Sequence, residues 1–150
     1  MDWNMISAVT QMLGFGGVIW GLAQNRRSLQ TQVAIDFYKR FADLADGMPI
    51  ELRLPSADSR LSSLSEPIRS QVLRSMMSYL NLCCEEYALF LKGRLARDVW
   101  DVSRKEVKAS FNSALWRDAW EFVKHRYESD PKFLRFMETE VLPRASTEAQ

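Results

Sequence analysis

The sequence lacks several features on which common folds and enzymes depend. It contains no long run in which β-branched residues alternate with polar ones, so β-strands are not expected. It has one histidine, His125, and its two cysteines, Cys83 and Cys84, are neighbours. Adjacent cysteines rarely face each other in a disulfide, and a zinc site needs several spaced ligands. The sequence therefore predicts no disulfide framework, no metal site and no cofactor.

The net charge and the positions of the glycines argue against a nucleic-acid-binding protein and against a phosphate-binding loop. A formal net charge of +1 produces no overall field that attracts nucleic acid, so no specific nucleic-acid partner is predicted. No glycine-rich loop leads into the lysine that a phosphate-binding loop requires. Apolar bulk is abundant, with 8 Phe, 7 Met and 5 Trp among 150 residues. The expected fold class is all-α.

The strongest positive signal is an uncharged run of 19 residues from Met5 to Ala23. Its length is close to what an α-helix needs to cross the hydrocarbon core of a lipid bilayer. A signal peptide carries positive charge before its apolar run, whereas Arg26 and Arg27 follow this one. We expect residues 1–27 to span the bilayer, with these arginines at cytoplasmic lipid headgroups. The alternative is a buried helix of a soluble domain.

Small residues share one face of this segment. Gly14, Gly17 and Gly21 lie three and four positions apart, and this spacing lets two membrane helices approach closely. The pattern predicts a contact within a homo-oligomer or a larger membrane complex, and the alternative is a loosely packed helix. If the assembly encloses a pore, the polar residues that can line it are Ser7, Thr10 and Gln11.

The rest of the chain predicts a bundle of about five helices. Neither Gly nor Pro occurs between Leu22 and Gly47, so the first helix should continue from the membrane to about Asp46. A loop with room for one short turn follows, because this stretch is rich in serine and contains two prolines. The remaining helices are expected at 66–92, 96–111, 115–127 and 131–142. We predict a cytoplasmic bundle over 28–142 and a flexible tail over 143–150.

Several side chains of the bundle carry specific expectations. Cys83 and Cys84 fall on the apolar stripe of the second helix, so core packing is expected rather than a reactive pair. Glu85 and Glu86 are adjacent and should point to different faces, with an ion pair to an arginine of another helix. In the third helix the apolar residues Val99, Trp100, Val102 and Val107 should face inward.

Two stretches of the bundle resemble a known group of proteins. They comprise Tyr79–Tyr87 with Lys92–Gly93 and Asp98–Trp100, and Phe111 with Trp116–Trp120, Tyr127 and Asp130–Phe133. Together they resemble small bacterial single-span membrane proteins of unknown function, of the DUF4760-like kind. The resemblance implies a bacterial protein with one N-terminal membrane helix, a long juxtamembrane helix and a cytoplasmic helical domain. Together with the charge pattern, we therefore expect it in the bacterial inner membrane with a periplasmic N-terminus.

The same layout is similar to the membrane accessory proteins of RNA-targeting type VI CRISPR systems. Those proteins look like HEPN-type helical domains on a membrane helix, and they assemble as rings. HEPN ribonucleases use a closely spaced Arg and His on one helix, where the Arg activates the phosphate and the His transfers protons. Here seven residues separate Arg117 from His125, which misses that spacing. The simpler interpretation is a surface histidine between Lys124 and Arg126.

The sequence favours a membrane-anchored, non-enzymatic helical module that assembles with itself or serves as an accessory subunit of a membrane complex. The glycine face and the uninterrupted helix into the bundle are the basis for this interpretation. One alternative is an oligomeric membrane pore that acts in phage defence. A second alternative is a HEPN-like ribonuclease.

The charge pattern around the apolar run predicts one orientation in the membrane. We expect the N-terminus in the periplasm and Gln150 in the cytoplasm, because positive residues flank the cytoplasmic end of a span. A reporter that works only in the cytoplasm should be active when fused after Gln150. Activity of a periplasm-specific reporter at the same position would reverse the predicted topology.

Overall fold

A computed structural model describes the backbone of residues 3–142 and the side chains of residues 22–142. These residues form six α-helices and no β-strand, which confirms the all-α fold class for them. The helices are α1 (Trp3–Asp46), α2 (Ile50–Arg53), α3 (Glu66–Leu91), α4 (Arg97–Ser110), α5 (Ala114–Val123) and α6 (Pro131–Phe136). Short 3-10 turns cover Leu61–Ser63 and Lys124–Tyr127, and a π-helical turn covers Met137–Val141. The tail predicted over 143–150 lies outside the described residues.

No helix in the described part of the chain is both long and apolar enough to cross a membrane. The spanning segment predicted for residues 1–27 consists mainly of residues whose side chains lie outside the described set. The span therefore stays a prediction.

The helix α3 is the centre of the bundle. Its residues Val72, Met76 and Leu80 are completely buried, as the apolar stripe of the sequence predicts. The helices α1, α4, α5 and α6 all contact it, so its apolar positions are covered from several sides. Burial of a large aliphatic side chain stabilises a fold by about 1.5–3 kcal/mol, and this helix therefore makes a large contribution to the core.

The helix α1 is one unbroken element, and its second half packs on the bundle. Ala34 and Phe37 are buried, and the ring of Phe41 meets the ring of Tyr79 edge to face with centroids 5.9 Å apart. Residues 22–29 are exposed. The helix ends at Asp46, where the sequence predicts its end, because Gly47 follows.

The segment between α1 and α3 contains more structure than the sequence predicts. It includes the short helix α2, whose Leu52 is buried and whose backbone carbonyl accepts a hydrogen bond of 3.1 Å from the indole of Trp116. Because this contact joins residues that are 64 positions apart, no local pattern could reveal it. The bundle therefore has six α-helices where the sequence predicts about five.

One predicted core residue is wrong. Val102 was expected to face inward, but it is 45% exposed. Trp100 and Val107 define the buried face of α4, and Val102 follows Trp100 by two residues, which is about 200° around the helix. Val99 is half-buried at the edge of that face. Hydrophobicity alone did not distinguish Val102 from its neighbours.

The end of α3 is set by a glycine in the left-handed region. Gly93 has a φ of 66°, and its N–H donates to the carbonyl of Phe90, while the N–H of Arg94 donates to that of Leu89. This pair of bonds satisfies carbonyls that the end of the helix leaves without partners. Arg26 and Gln30 of α1 donate to the carbonyl of Gly93 itself, at 3.3 and 3.2 Å.

We predict that Gly93→Ala destabilises the fold by about 1–2 kcal/mol, because an L side chain is strained at positive φ. The new Cβ would also lie 3.3 Å from the guanidinium of Arg26. Gly47→Ala is the matched control, since a Cβ there meets only ordinary contacts of 3.7 Å and longer. Its effect should stay within about 0.5 kcal/mol. Urea midpoints compare the two variants, and equal midpoints would contradict the strain at Gly93.

Candidate functional site

A cavity of about 330 Å³ lies where α1, α3 and α4 meet, and we call it the three-helix cavity. The helix α1 lines it with residues between Ala34 and Ala42, α3 with residues between Tyr79 and Glu86, and α4 with residues between Val99 and Val107. Its volume falls at the lower end of the range for small-molecule binding sites. Most of its wall is apolar, with a few polar side chains.

Helical periodicity explains which side chains form this wall. On α1, Phe37 and Phe41 are four residues apart and therefore lie on the same face. On α4, Val99, Ser103 and Val107 repeat the same spacing. The cavity lies between these faces of α1 and α4, which both pack against α3 but leave a space between them.

Glu86 is the one charged residue that is buried in the described part of the chain, and it is 7% exposed. The hydroxyl of Ser103 on α4 donates a hydrogen bond to its Oε1. Burial raises the pKa of Glu86 above its ordinary value of 4.5, the bond from Ser103 opposes this rise, and the nearby carboxylate of Glu106 adds to it. Neither Glu86 nor Glu106 forms an ion pair with another described residue.

The neighbouring Glu85 behaves as the sequence predicts. Its carboxylate points to another face of α3 and forms an ion pair of 2.7 Å with Arg40 of α1. Both partners are about half exposed, so the pair contributes no more than about 1 kcal/mol. The same guanidinium lies 5.3 Å from the ring centre of Phe37. Arg40 is thus engaged on the outside of the helix pair.

The two cysteines have no features of a reactive pair. Cys83 is buried and lines the cavity, and burial raises the pKa of its thiol strongly. Burial and the carboxylate of Asp130 raise the pKa of Cys84 to about 12, and its thiol donates to that carboxylate. Both groups therefore remain thiols at neutral pH, whereas nucleophilic cysteines need the thiolate. The predicted packing role of Cys83 is confirmed.

The two HEPN candidates, Arg117 and His125, have different surroundings. The guanidinium of Arg117 donates to the carbonyls of Phe111 and Asn112, at 2.9 and 2.8 Å, and thereby covers the end of α4. His125 is exposed in a 3-10 turn and borders a shallow depression with residues of α3. The two side chains contact different elements of the fold.

The remaining predicted residues belong to α1. Arg26 contacts the end of α3, and Arg27 is exposed. Two predicted sets lie outside the residues whose side chains the structure describes. They are the oligomer contact, Gly14, Gly17 and Gly21, and the pore lining, Ser7, Thr10 and Gln11. Among the residues that the structure describes, no cluster of potential ligands could hold a metal ion.

The sequence did not single out the three-helix cavity. Its polar residues, Glu86, Ser103 and Glu106, come from two helices and are up to 20 positions apart in the chain. One signal was available, because Glu86 continues the buried spacing of Tyr79 and Cys83 along α3. A carboxylate in such a register suggests either an internal partner or a ligand.

No family model, curated protein or solved structure matches this chain. The resemblance to small bacterial single-span membrane proteins and to type VI CRISPR accessory proteins therefore stays a prediction.

The buried carboxyl predicts a pH-dependent stability. The unfolded chain releases the proton of Glu86 near pH 4.5, whereas the folded chain keeps it to higher pH because burial raises the pKa. The folded state then binds more protons in this window, so its stability falls as the pH rises through it. Glu86→Gln removes this dependence, and the variant should gain stability relative to the parent between pH 4.5 and 7.

Urea unfolding at several pH values measures this difference. Glu85→Gln is the matched control, because it changes the adjacent exposed carboxylate, whose ion pair contributes less than about 1 kcal/mol. A difference between Glu86→Gln and the parent that stays constant from pH 4.5 to 7 would show that burial does not hold the proton on Glu86.

Proposed function

We propose that this chain is a membrane-anchored, non-enzymatic helical module of the bacterial inner membrane. In this proposal it assembles with itself or serves as an accessory subunit of a membrane complex. The observation that carries the proposal is the continuity of α1 from Trp3 to Asp46. The uncharged run Met5–Ala23 lies in the first half of the helix, and the bundle packs on the second half.

The attachment of α1 to the bundle supports a mechanical role for it. Arg26 and Gln30 bind the carbonyl of Gly93 near the point where α1 leaves the bundle. More than two turns further on, Arg40 binds Glu85 of α3, whereas Gly93 lies just after the end of that helix. Contacts at two levels restrict tilting and rotation of α1 relative to α3. A change in the orientation of the bundle would therefore reach the N-terminal half of α1.

The surface of α1 next to the bundle fits the headgroup region of a membrane. Leu22 and Leu29 are 64% and 54% exposed, although both are large and apolar. Arg26 and Arg27 lie between them. Basic side chains beside exposed apolar ones are favourable where a helix leaves the bilayer, because anionic headgroups attract the charges and acyl chains cover the leucines.

The assembly part of the proposal predicts the effect of bulky residues on the glycine face. Gly17→Leu and Gly21→Leu should each reduce the size of the oligomer or complex in detergent, because small-residue contacts need close backbone approach. Both variants should still insert, since Leu favours a membrane helix more than Gly does. Crosslinking and light scattering measure the assembly size.

Val18→Leu is the control, because it adds bulk to another face of the same helix turn. The expected result is an assembly like that of the parent. If all three variants assemble like the parent, the glycine face is not the contact. If Val18→Leu alone disrupts the assembly, the contact lies on a different face of the helix.

A further inference from the structure

The three-helix cavity has walls that suit a positive charge. Four aromatic side chains line it: Phe37, Tyr38 and Phe41 from α1, and Tyr79 from α3. The faces of aromatic rings carry negative partial charge and attract cations, most strongly where water is excluded. Tyr79 is buried, and its ring packs edge to face against Phe41 and Trp116, which holds this part of the wall in place.

The two charged residues that line the cavity are both acidic. Glu86 and Glu106 both line it, and neither forms an ion pair within the described part of the chain. Ser103 satisfies Oε1 of Glu86, whereas Oε2 has no hydrogen-bond partner among the described residues. Oε2 also keeps some solvent-accessible surface. Among the described residues, the fully buried side-chain polar atom without a partner is Oγ of Ser113, not Oε2 of Glu86. Glu86 therefore lines the cavity with a carboxylate that has one oxygen without a protein partner among the described residues.

We propose that the three-helix cavity binds a small organic cation that carries an ammonium group on an apolar body. The ammonium would pair with Glu86 and the rim carboxylate of Glu106, and the apolar body would contact the aromatic wall. An anionic molecule would meet two carboxylates with no compensating base. A neutral molecule of the same shape would leave the buried carboxylate of Glu86 unpaired, which is costly in an apolar environment. This proposal is independent of the membrane function proposed above.

Phenethylammonium and its neutral analogue 2-phenylethanol test the proposal directly, because they share one apolar body and differ in the charged group. Backbone amide NMR of the full-length protein in detergent micelles follows both titrations. Phenethylammonium should bind saturably and at least about tenfold more tightly than 2-phenylethanol, which corresponds to about 1.4 kcal/mol. The shifted amides should lie within residues 34–42, 79–86 and 99–107.

The matched pair of variants comes from adjacent residues of α3. Glu86→Gln keeps the shape of the side chain and its bond to Ser103 but removes the charge, so it should weaken phenethylammonium binding at least about tenfold. Binding of 2-phenylethanol should not decrease. Glu85→Gln removes a charge that faces Arg40 instead of the cavity, and both probes should bind to it as to the parent.

A second route keeps the test decisive if Glu86→Gln does not fold. Ala42 is exposed and lines the cavity, so Ala42→Phe should fill part of the volume and weaken both probes without disturbing the core. Glu106→Gln, at an exposed position, should weaken only phenethylammonium. Equal binding of the two probes by the parent would overturn the proposal. Shifts outside the three segments, or unchanged phenethylammonium binding in both glutamine variants, would overturn it as well.

Discussion

The packing of the second half of α1 against α3 is the contact on which the other features depend. Phe37 is buried there, and Phe41 contacts Tyr79 in the interior of the bundle. This contact forms one wall of the three-helix cavity and also sets the direction in which α1 leaves the bundle. Aromatic packing, rather than the exposed ion pair of Arg40 and Glu85, supplies most of its stability, because exposed ion pairs contribute little.

The elements that the sequence predicted correctly are those with local signals. Gly93 ends α3 because its backbone is left-handed, and Asp130 begins α6 by accepting a hydrogen bond from the N–H of Phe133. Ser65 precedes α3, but its side chain makes no capping bond. The features that escaped prediction rest on contacts between distant segments, such as the bond from Trp116 that holds α2 and the meeting of three helices around Glu86. Periodicity describes one helix at a time and does not contain these pairings.

Glu86 and Arg117 show why residue type alone was a poor guide to chemistry here. Arg117 is a HEPN candidate by residue type alone, and in the structure its guanidinium satisfies the carbonyls at the end of α4. The sequence predicts Glu86 as half of an ordinary charged pair, yet it is buried and lines a cavity without a basic partner among the described residues. A carboxyl in that position reduces stability unless something compensates it, so its environment is more informative than any local motif.

The continuity of α1 also determines how copies of the protein can be arranged around a shared axis. Successive residues of an α-helix are rotated by about 100°, so the 20 positions from Gly17 to Phe37 leave a net rotation of about 200°. In a straight helix the glycine face is therefore nearly opposite the face that carries the bundle. If the helices associate through Gly17 and Gly21 as proposed, the bundles lie on the outside of the group and do not compete for space at its centre.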